Sequence, residues 1–219
     1  MKVRLIGYTQ PADMIGIDDV QDLIAYAARV SNPSNQMNSE TSERLLNYLI
    51  REKHWSPFEM ASATMEVETT RDIARQFLRH RSFSFQEFSQ RYANPQDMEK
   101  SFVIREARLQ DTKNRQNSIE VEDADLQEEW IWQQERVIEA SKRAYNWALK
   151  NGIAKEQARA VLPEGNTVSR LYVNGTIRSW IHYVELRSGH GTQKEHIELA
   201  REIGKAITKI FPMSEQFIN

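Results

Sequence analysis

RHRSFSFQEFSQRY, residues 79–92, is the stretch from which the rest of the chain is read. It packs Arg79, His80, Arg81 and Arg91 together with Ser84, Gln86, Glu87 and Ser89, and separates them with Phe83, Phe85, Phe88 and Tyr92. A solvated helix face has no use for four aromatic rings, and a core strand does not carry four basic side chains. Arg79, His80 and Arg81 taken alone read equally as cations closing a helix, where the macrodipole favours positive charge. The spacing carries more information: three basic residues, seven others, then Ser89 and Arg91, or RHR-x7-S-x-R.

Immediately before this stretch, residues 60–69 alternate cleanly. Ala61, Ala63, Met65 and Val67 fall on one side, and Ser62, Thr64, Glu66 and Glu68 on the other, which predicts a half-buried strand. Thr70 is placed to cap a helix in which Arg71, Arg75 and Arg79 share one face and Ile73 and Phe77 another. Gln76 points the same general way as Arg79. Strand, helix and motif form one unit, with the motif unwinding from the helix end into a loop.

Further out, residues 2–8 alternate as a strand. Helices are predicted after Asp18 or Asp19 and over residues 41–53, each with apolar residues at helical spacing. Pro57 biases Ser56 toward an extended conformation. Residues 94–122 are polar and poorly periodic, with a short strand at 101–104 and the look of a flap. Asp125 and Glu128 read as a capping box opening a long helix to Asn151-Gly152, whose aromatics fit core or subunit contact. A short helical piece at 156–161 precedes a strand at 168–173, and Asn174-Gly175 reads as a turn. Thr176 caps a helix with Arg178, His182 and Glu185 on one face and Arg187 near its end. A last helix spans about 192–210. The expected fold is α+β: a single domain over residues 1–219, with a central, mostly antiparallel sheet flanked by long helices.

Composition bounds the function. With 40% hydrophobic and 27% charged residues the chain is globular, and a net charge of -2 gives no global pull toward nucleic acid or membrane. No signal-like N-terminus or spanning apolar run is visible, so a cytoplasmic location is expected. The absence of cysteine excludes thiol nucleophiles, disulfides and zinc thiolates. Five histidines without metal-ligand spacing predict no metal site.

The RHR-x7-S-x-R pattern, with Ala158-Arg159-Ala160-Val161-Leu162-Pro163 and Thr176-Ile177-Arg178 downstream, resembles the flavin-dependent thymidylate synthases. The resemblance implies reductive methylation of dUMP to dTMP, with methylenetetrahydrofolate as one-carbon donor and NADPH-reduced FAD as hydride source. It also implies a homotetramer with FAD shared between subunits. By resemblance, dUMP falls to Gln76, Phe77, Leu78, Arg79, Glu87, Phe88, Ser89, Gln90, Arg91, Arg159 and Arg187. FAD falls to Ser56, Arg79, His80, Arg81, Glu87, Thr176, Ile177, Arg178 and His182, and His54 resembles the position that meets folate. Many members carry Asn where Thr176 stands, and often Asn at His182. Arg187 is the expected catalytic residue, because a cation against the uracil makes carbon 5 more nucleophilic where no thiolate adds to the ring.

Two other readings fit parts of the chain. Arginines interleaved with aromatics also suit a nucleic-acid-binding module, against which stand the net charge and the lack of a second basic stretch. A helical assembly protein built on the long helix leaves residues 79–92 without a purpose.

Overall fold

The alternating stretch before the motif forms a strand at the centre of the sheet. In a computed structural model, which describes residues 1–218, the chain opens with β1 (Lys2–Tyr8). Helices α1 (Val20–Ala28) and α2 (Ser42–Arg51) lead to β2 (Ser62–Thr70), which runs directly into α3 (Arg71–Phe77). The chain returns as β3 (Ser84–Glu87), then crosses to a small hairpin of β4 (Arg108–Gln110) and β5 (Ser118–Glu120). The long α4 (Ala124–Lys150) and short α5 (Lys155–Ala158) follow, and β6 (Val168–Thr176), α6 (Ile177–Ser188) and α7 (Lys194–Thr208) close the fold.

The main sheet has the order β1-β2-β6-β3, and every neighbouring pair is antiparallel, in line with the expected α+β class. Residues opposed across an antiparallel ladder share a face, so the register sorts the sheet into two sides. Val3, Val67, Leu171 and Glu87 line up on one side, as do Leu5, Met65, Val173 and Phe85. That side joins Trp180, Ile181 and Val184 of α6 and Leu199 and Ile203 of α7 in one core. Each such aliphatic side chain stabilises the fold by roughly 1.5–3 kcal/mol when fully buried. The other side is polar: Arg4 pairs with Glu66 at 3.1 Å, Arg170 with Glu68, and Asn174 Nδ2 donates to Thr64 Oγ1 at 2.8 Å.

Several local expectations are corrected. Residues 84–87 form an edge strand, not a loop, because Phe85 can join the buried face while Ser84 and Gln86 stay exposed. Asn174-Gly175 is no turn: β6 runs through it, and neither residue has positive φ. Glycine is needed there because a Cβ would run into the buried Phe83 ring. Thr70 stands at the N-cap of α3, but its hydroxyl accepts from Arg105 Nη2 at 2.7 Å and makes no cap bond. Asp123, not Asp125, caps α4, accepting from the Leu126 N–H at 3.0 Å. Ser56 opens a 3-10 turn with Pro57 in its first positions, where a missing N–H costs nothing. Only Phe102 of the 101–104 stretch pairs as a strand, through a single bridge to Thr167. Among the described residues no helix is long and apolar enough to cross a membrane.

Candidate active site

α6 lies along the motif and meets it residue by residue. Near its start Ser179 Oγ donates to the Ser82 carbonyl at 3.4 Å. The next residue, Trp180, packs on Phe83 with ring centroids 4.4 Å apart. Tyr183 stacks on Phe77 at 4.5 Å and meets the edge of His80 at 5.0 Å. Arg187, a further turn along, donates from Nε to His80 Nε2 at 2.9 Å. Aromatic pairs of this kind add about 0.5–1.5 kcal/mol each beyond their buried area. They hold the motif's backbone rigid while leaving its cations outside.

Those cations are unevenly used. The guanidinium groups of Arg79 and Arg81 are exposed and make no hydrogen bond or ion pair among the described residues. Among the described residues Arg187 spends only Nε, so both of its terminal nitrogens remain available. Burial, then Arg187 and Arg79 beside it, push His80 down to about 4. His80 is therefore neutral at pH 7, with Nε2 accepting from Arg187 and Nδ1 carrying the proton.

Glu87 ends β3 on the buried side of the sheet. It accepts from Ser169 Oγ at 2.9 Å and from Arg71 Nη1 at 3.3 Å, with Arg75 Nη1 at 3.7 Å. Beyond it, Ser89 Oγ lies 3.4 Å from the Arg91 N–H, and Arg91 pairs with Glu156 at 3.0 Å. Arg159, two residues after Gln157 in the same short helical segment, donates to the Glu156 carbonyl at 3.3 Å. The structure thus brings Arg91 and Arg159 to one acidic residue from 68 positions apart. Phe77 and Ile177 are fully buried core residues, so their side chains are closed to a ligand; Leu78 and Phe88 are half-buried. Gln90 is buried with its Nε2 unpartnered.

Ser56, Arg178 and His182 gather on a different face of α6. Arg178 pairs with Glu59, and the His182 ring stands edge-on to Trp55 at 4.6 Å. Ser56 is exposed on the same 3-10 turn, and Thr176 caps α6 by accepting from the Ser179 N–H at 3.2 Å. His54 is exposed, its ring edge toward Tyr48 at 6.3 Å. Phe83 is buried, and Phe85 packs on Phe77 at 5.4 Å, so these two rings serve the core and do not present a base-stacking platform.

Comparison with known proteins decides the family. The family described as "Thymidylate synthase complementing protein" matches residues 5–213. The chain belongs to that family. A "Probable flavin-dependent thymidylate synthase" of Paramecium bursaria Chlorella virus 1 is 51% identical over 212 residues, covering 97% of this chain and 96% of the relative. The "Flavin-dependent thymidylate synthase" of Synechocystis is 49% identical over 214 residues, with coverage of 97% and 96%. Among solved structures, a UMP/dUMP methylase from Streptomyces cacaoi bound with 5-Br dUMP superposes with a TM-score of 0.83. It is 26% identical, and the match covers 99% of this chain and 93% of that one.

Within this family member, three polar groups near the motif had little or no sequence signal. Tyr183 sits one helical turn before Arg187, and that i,i+4 spacing is the only hint of its place. His196 is wholly buried, 3.2 Å from Gln76 Oε1 and 3.0 Å from the Tyr183 hydroxyl. Gln193 accepts from Gln76 Nε2 at 2.8 Å. The larger open hollows lie elsewhere: one of about 920 Å³ beside α2, one of about 780 Å³ beside residues 103–106 and one of about 690 Å³ at the β4–β5 hairpin, and none of the three is lined by Arg79, His80, Arg81 or Arg187. The chemistry of the side chains, not the depth of a hollow, locates this site. Among the described residues no cluster of three acidic or histidine side chains is arranged to hold a metal ion.

Proposed function

We propose that the chain is a flavin-dependent thymidylate synthase, a methyltransferase that converts dUMP to dTMP. The observation that carries this reading is the Arg187–His80 contact. It joins the expected catalytic arginine to the middle of the RHR motif across 107 residues of sequence. The family and the relatives' names supply the reaction, and the site supplies groups that suit it.

In this reading Arg187 offers its two terminal nitrogens to the uracil ring. The cation stabilises negative charge at a carbonyl or ring nitrogen and so makes carbon 5 more nucleophilic. Neutral His80 takes the third nitrogen and aims the guanidinium without adding a competing charge. Ser89, Arg91 and Arg159 are assigned to the nucleotide phosphate, where guanidinium forks match phosphate oxygens. Segments Gln76 to Arg79 and Glu87 to Arg91 complete the dUMP site.

FAD is assigned to Ser56, Arg79, His80, Arg81, Glu87, Thr176, Ile177, Arg178 and His182. The unpaired guanidinium groups of Arg79 and Arg81 fit an anionic cofactor. When bound there and reduced by NADPH, FAD would supply the hydride needed to complete the methyl group brought by methylenetetrahydrofolate. His54 is proposed to meet the folate. Arg79 to Arg81 and the Ser56, Arg178 and His182 group face different sides of α6, which suits FAD sites completed between subunits of a homotetramer. Exposed Trp130, Trp132 and Trp147 on α4, the last with 62% of its surface accessible, suit subunit contacts.

The test is the visible spectrum of the purified protein, followed by titration with dUMP. A flavin spectrum that dUMP perturbs is expected, followed by dTMP formation once NADPH and methylenetetrahydrofolate are added. A protein that neither carries nor takes up FAD overturns the assignment.

A further inference from the structure

Behind Gln76 runs a series of hydrogen bonds that reaches the outer hairpin. Glu195, in the first turn of α7, accepts from Arg108 of β4 and from Gln193 Nε2, the latter at 2.9 Å. Gln193 Oε1 accepts from Gln76 Nε2 at 2.8 Å, and Gln76 Oε1 faces His196 Nδ1 at 3.2 Å. His196 Nε2 faces the Tyr183 hydroxyl at 3.0 Å. Tyr183 and His196 are 1% and 0% exposed, so water does not substitute for a missing partner there.

Only one direction of donation satisfies every member. An ionised carboxylate accepts and cannot donate, so Gln193 must turn its NH₂ to Glu195 and its carbonyl to Gln76. Gln76 must then give its NH₂ to Gln193 and its carbonyl to His196. His196 must carry its proton on Nδ1, leaving Nε2 to accept from Tyr183. Flipping any one amide sets two donors or two acceptors against each other. Burial pushes the Glu195 carboxyl up, but hydrogen bonds from Arg108, its own N–H and Gln193 outweigh it and hold the group below the usual carboxylate range. Burial, then Arg187 and His80, push His196 down to about 3, which leaves it neutral.

We propose that the Arg108–Glu195 pair is a positioning device for substrate recognition. Acting through Gln193, it locks the side-chain amide of Gln76 so that its remaining N–H, not its carbonyl, faces the nucleotide. A donor at this place selects an acceptor atom of the substrate, a pyrimidine carbonyl or a phosphate oxygen. The inference rests on Gln76 lying in the dUMP site proposed above. Glu195 and Arg108 are positioning residues, because they reach that site only through the two glutamines.

The test uses the flavin-loaded protein and Glu195→Gln, which keeps the shape but can no longer accept from both neighbours. In ¹⁵N-histidine-labelled parent protein, the His196 resonances should report the Nδ1–H tautomer. In Glu195→Gln the tautomer should become mixed. Calorimetric titration should show dUMP binding about tenfold weaker, with flavin content unchanged. Gln76→Ala should weaken dUMP binding to a similar extent, and adding Glu195→Gln to it should change nothing more. An Nε2–H tautomer in the parent overturns the device. So does parental dUMP affinity in Glu195→Gln while Gln76→Ala binds weakly, and that result leaves the dUMP site in place. If Gln76→Ala itself binds dUMP like the parent, the placement of Gln76 in the substrate site fails instead.

Discussion

The motif unit and the outer segment at residues 94–122 are held by opposite means. Around the motif, α3, β3, β6 and α6 interlock through Phe77, Phe83, Trp180 and Tyr183, and the few polar atoms inside are paired, Trp180 Nε1 with the Ala63 carbonyl and the Tyr183 hydroxyl with His196. The outer segment has few apolar residues to bury, and α4 holds it by its backbone. Gln134 accepts from the Arg105 N–H at 2.9 Å and donates to the Arg105 carbonyl at 2.8 Å. Gln127 treats Ala107 the same way, at 2.7 and 3.0 Å. Each glutamine amide stands in for a neighbouring strand. The difference teaches that rigidity near the chemistry comes from rings, whereas an apolar-poor segment is ordered by satisfying its backbone. The two regions meet at α7, where Lys194 pairs with Glu106 and Glu120 and Glu195 pairs with Arg108.

The sharpest test of the motif region is Arg187→Ala. If this guanidinium stabilises charge on the uracil, turnover should fall about 10²–10³-fold while the protein stays folded, since removing one electrostatic donor at a reacting centre has that scale. Single-turnover rates of dTMP formation at saturating dUMP measure it. A loss confined to KM would make Arg187 a binding residue only.

Next comes Gly175→Ala, aimed at the ring packing itself. The new methyl meets Phe83, which Phe77 and Trp180 hem in, so the ring cannot swing clear. Overpacking of this kind destabilises by about 1–3 kcal/mol. Urea unfolding of parent and variant reads the difference, and an unchanged midpoint would show that the motif region yields more than its rings suggest.

Much of the motif region was legible, and the reasons are physical. β2 and α6 declare themselves because each keeps apolar residues on one face and polar residues on the other, so alternation and helical spacing survive in sequence. β3 was hidden by its brevity and by the basic residues before it, although Phe83, Phe85 and Glu87 already alternate with Ser84 and Gln86. Asn174-Gly175 misled because its dipeptide signals a turn, while the glycine answers a ring arriving from residue 83. The outer segment was illegible because the partners of Arg105, Ala107 and Val121 are glutamines on a helix beyond it, and no local period records that. His196 illustrates the limit: its partner Gln76 is 120 residues away, and nothing near either one announces the other.

pH probes the boundary between the regions. His196 has its folded pKa depressed to about 3 against an ordinary 6.5, so the unfolded chain binds the proton more readily. The contribution is present in full above pH 6.5 and is lost as pH falls from there toward 3. The slope within that window approaches about 1.4 kcal/mol per pH unit, or roughly 2 kcal/mol between pH 6.5 and 5. His80, depressed to about 4, acts in the same direction. Unfolding midpoints at pH 7 and 5 should differ in the parent, and the difference should shrink in His196→Asn, which keeps a donor without a titrating ring.

Gln134→Leu bears on the outer region alone and should have the smallest effect. It removes both bonds to Arg105 and one from Asn166 Nδ2, but the groups released are only partly buried and water can reach them. A loss of about 1 kcal/mol is expected, at the low end for unsatisfied backbone groups. The informative readout is where the loss falls. If the outer segment is ordered by its backbone bonds, the Arg105 and Ala107 amides should exchange faster in native-state hydrogen exchange. Amides of β2 and β6 should keep the parent's protection, because their order comes from the core on the buried side of the sheet. Equal loss of protection in both places would mean that the two regions unfold as one unit, and that the glutamines support the motif as well as the hairpin.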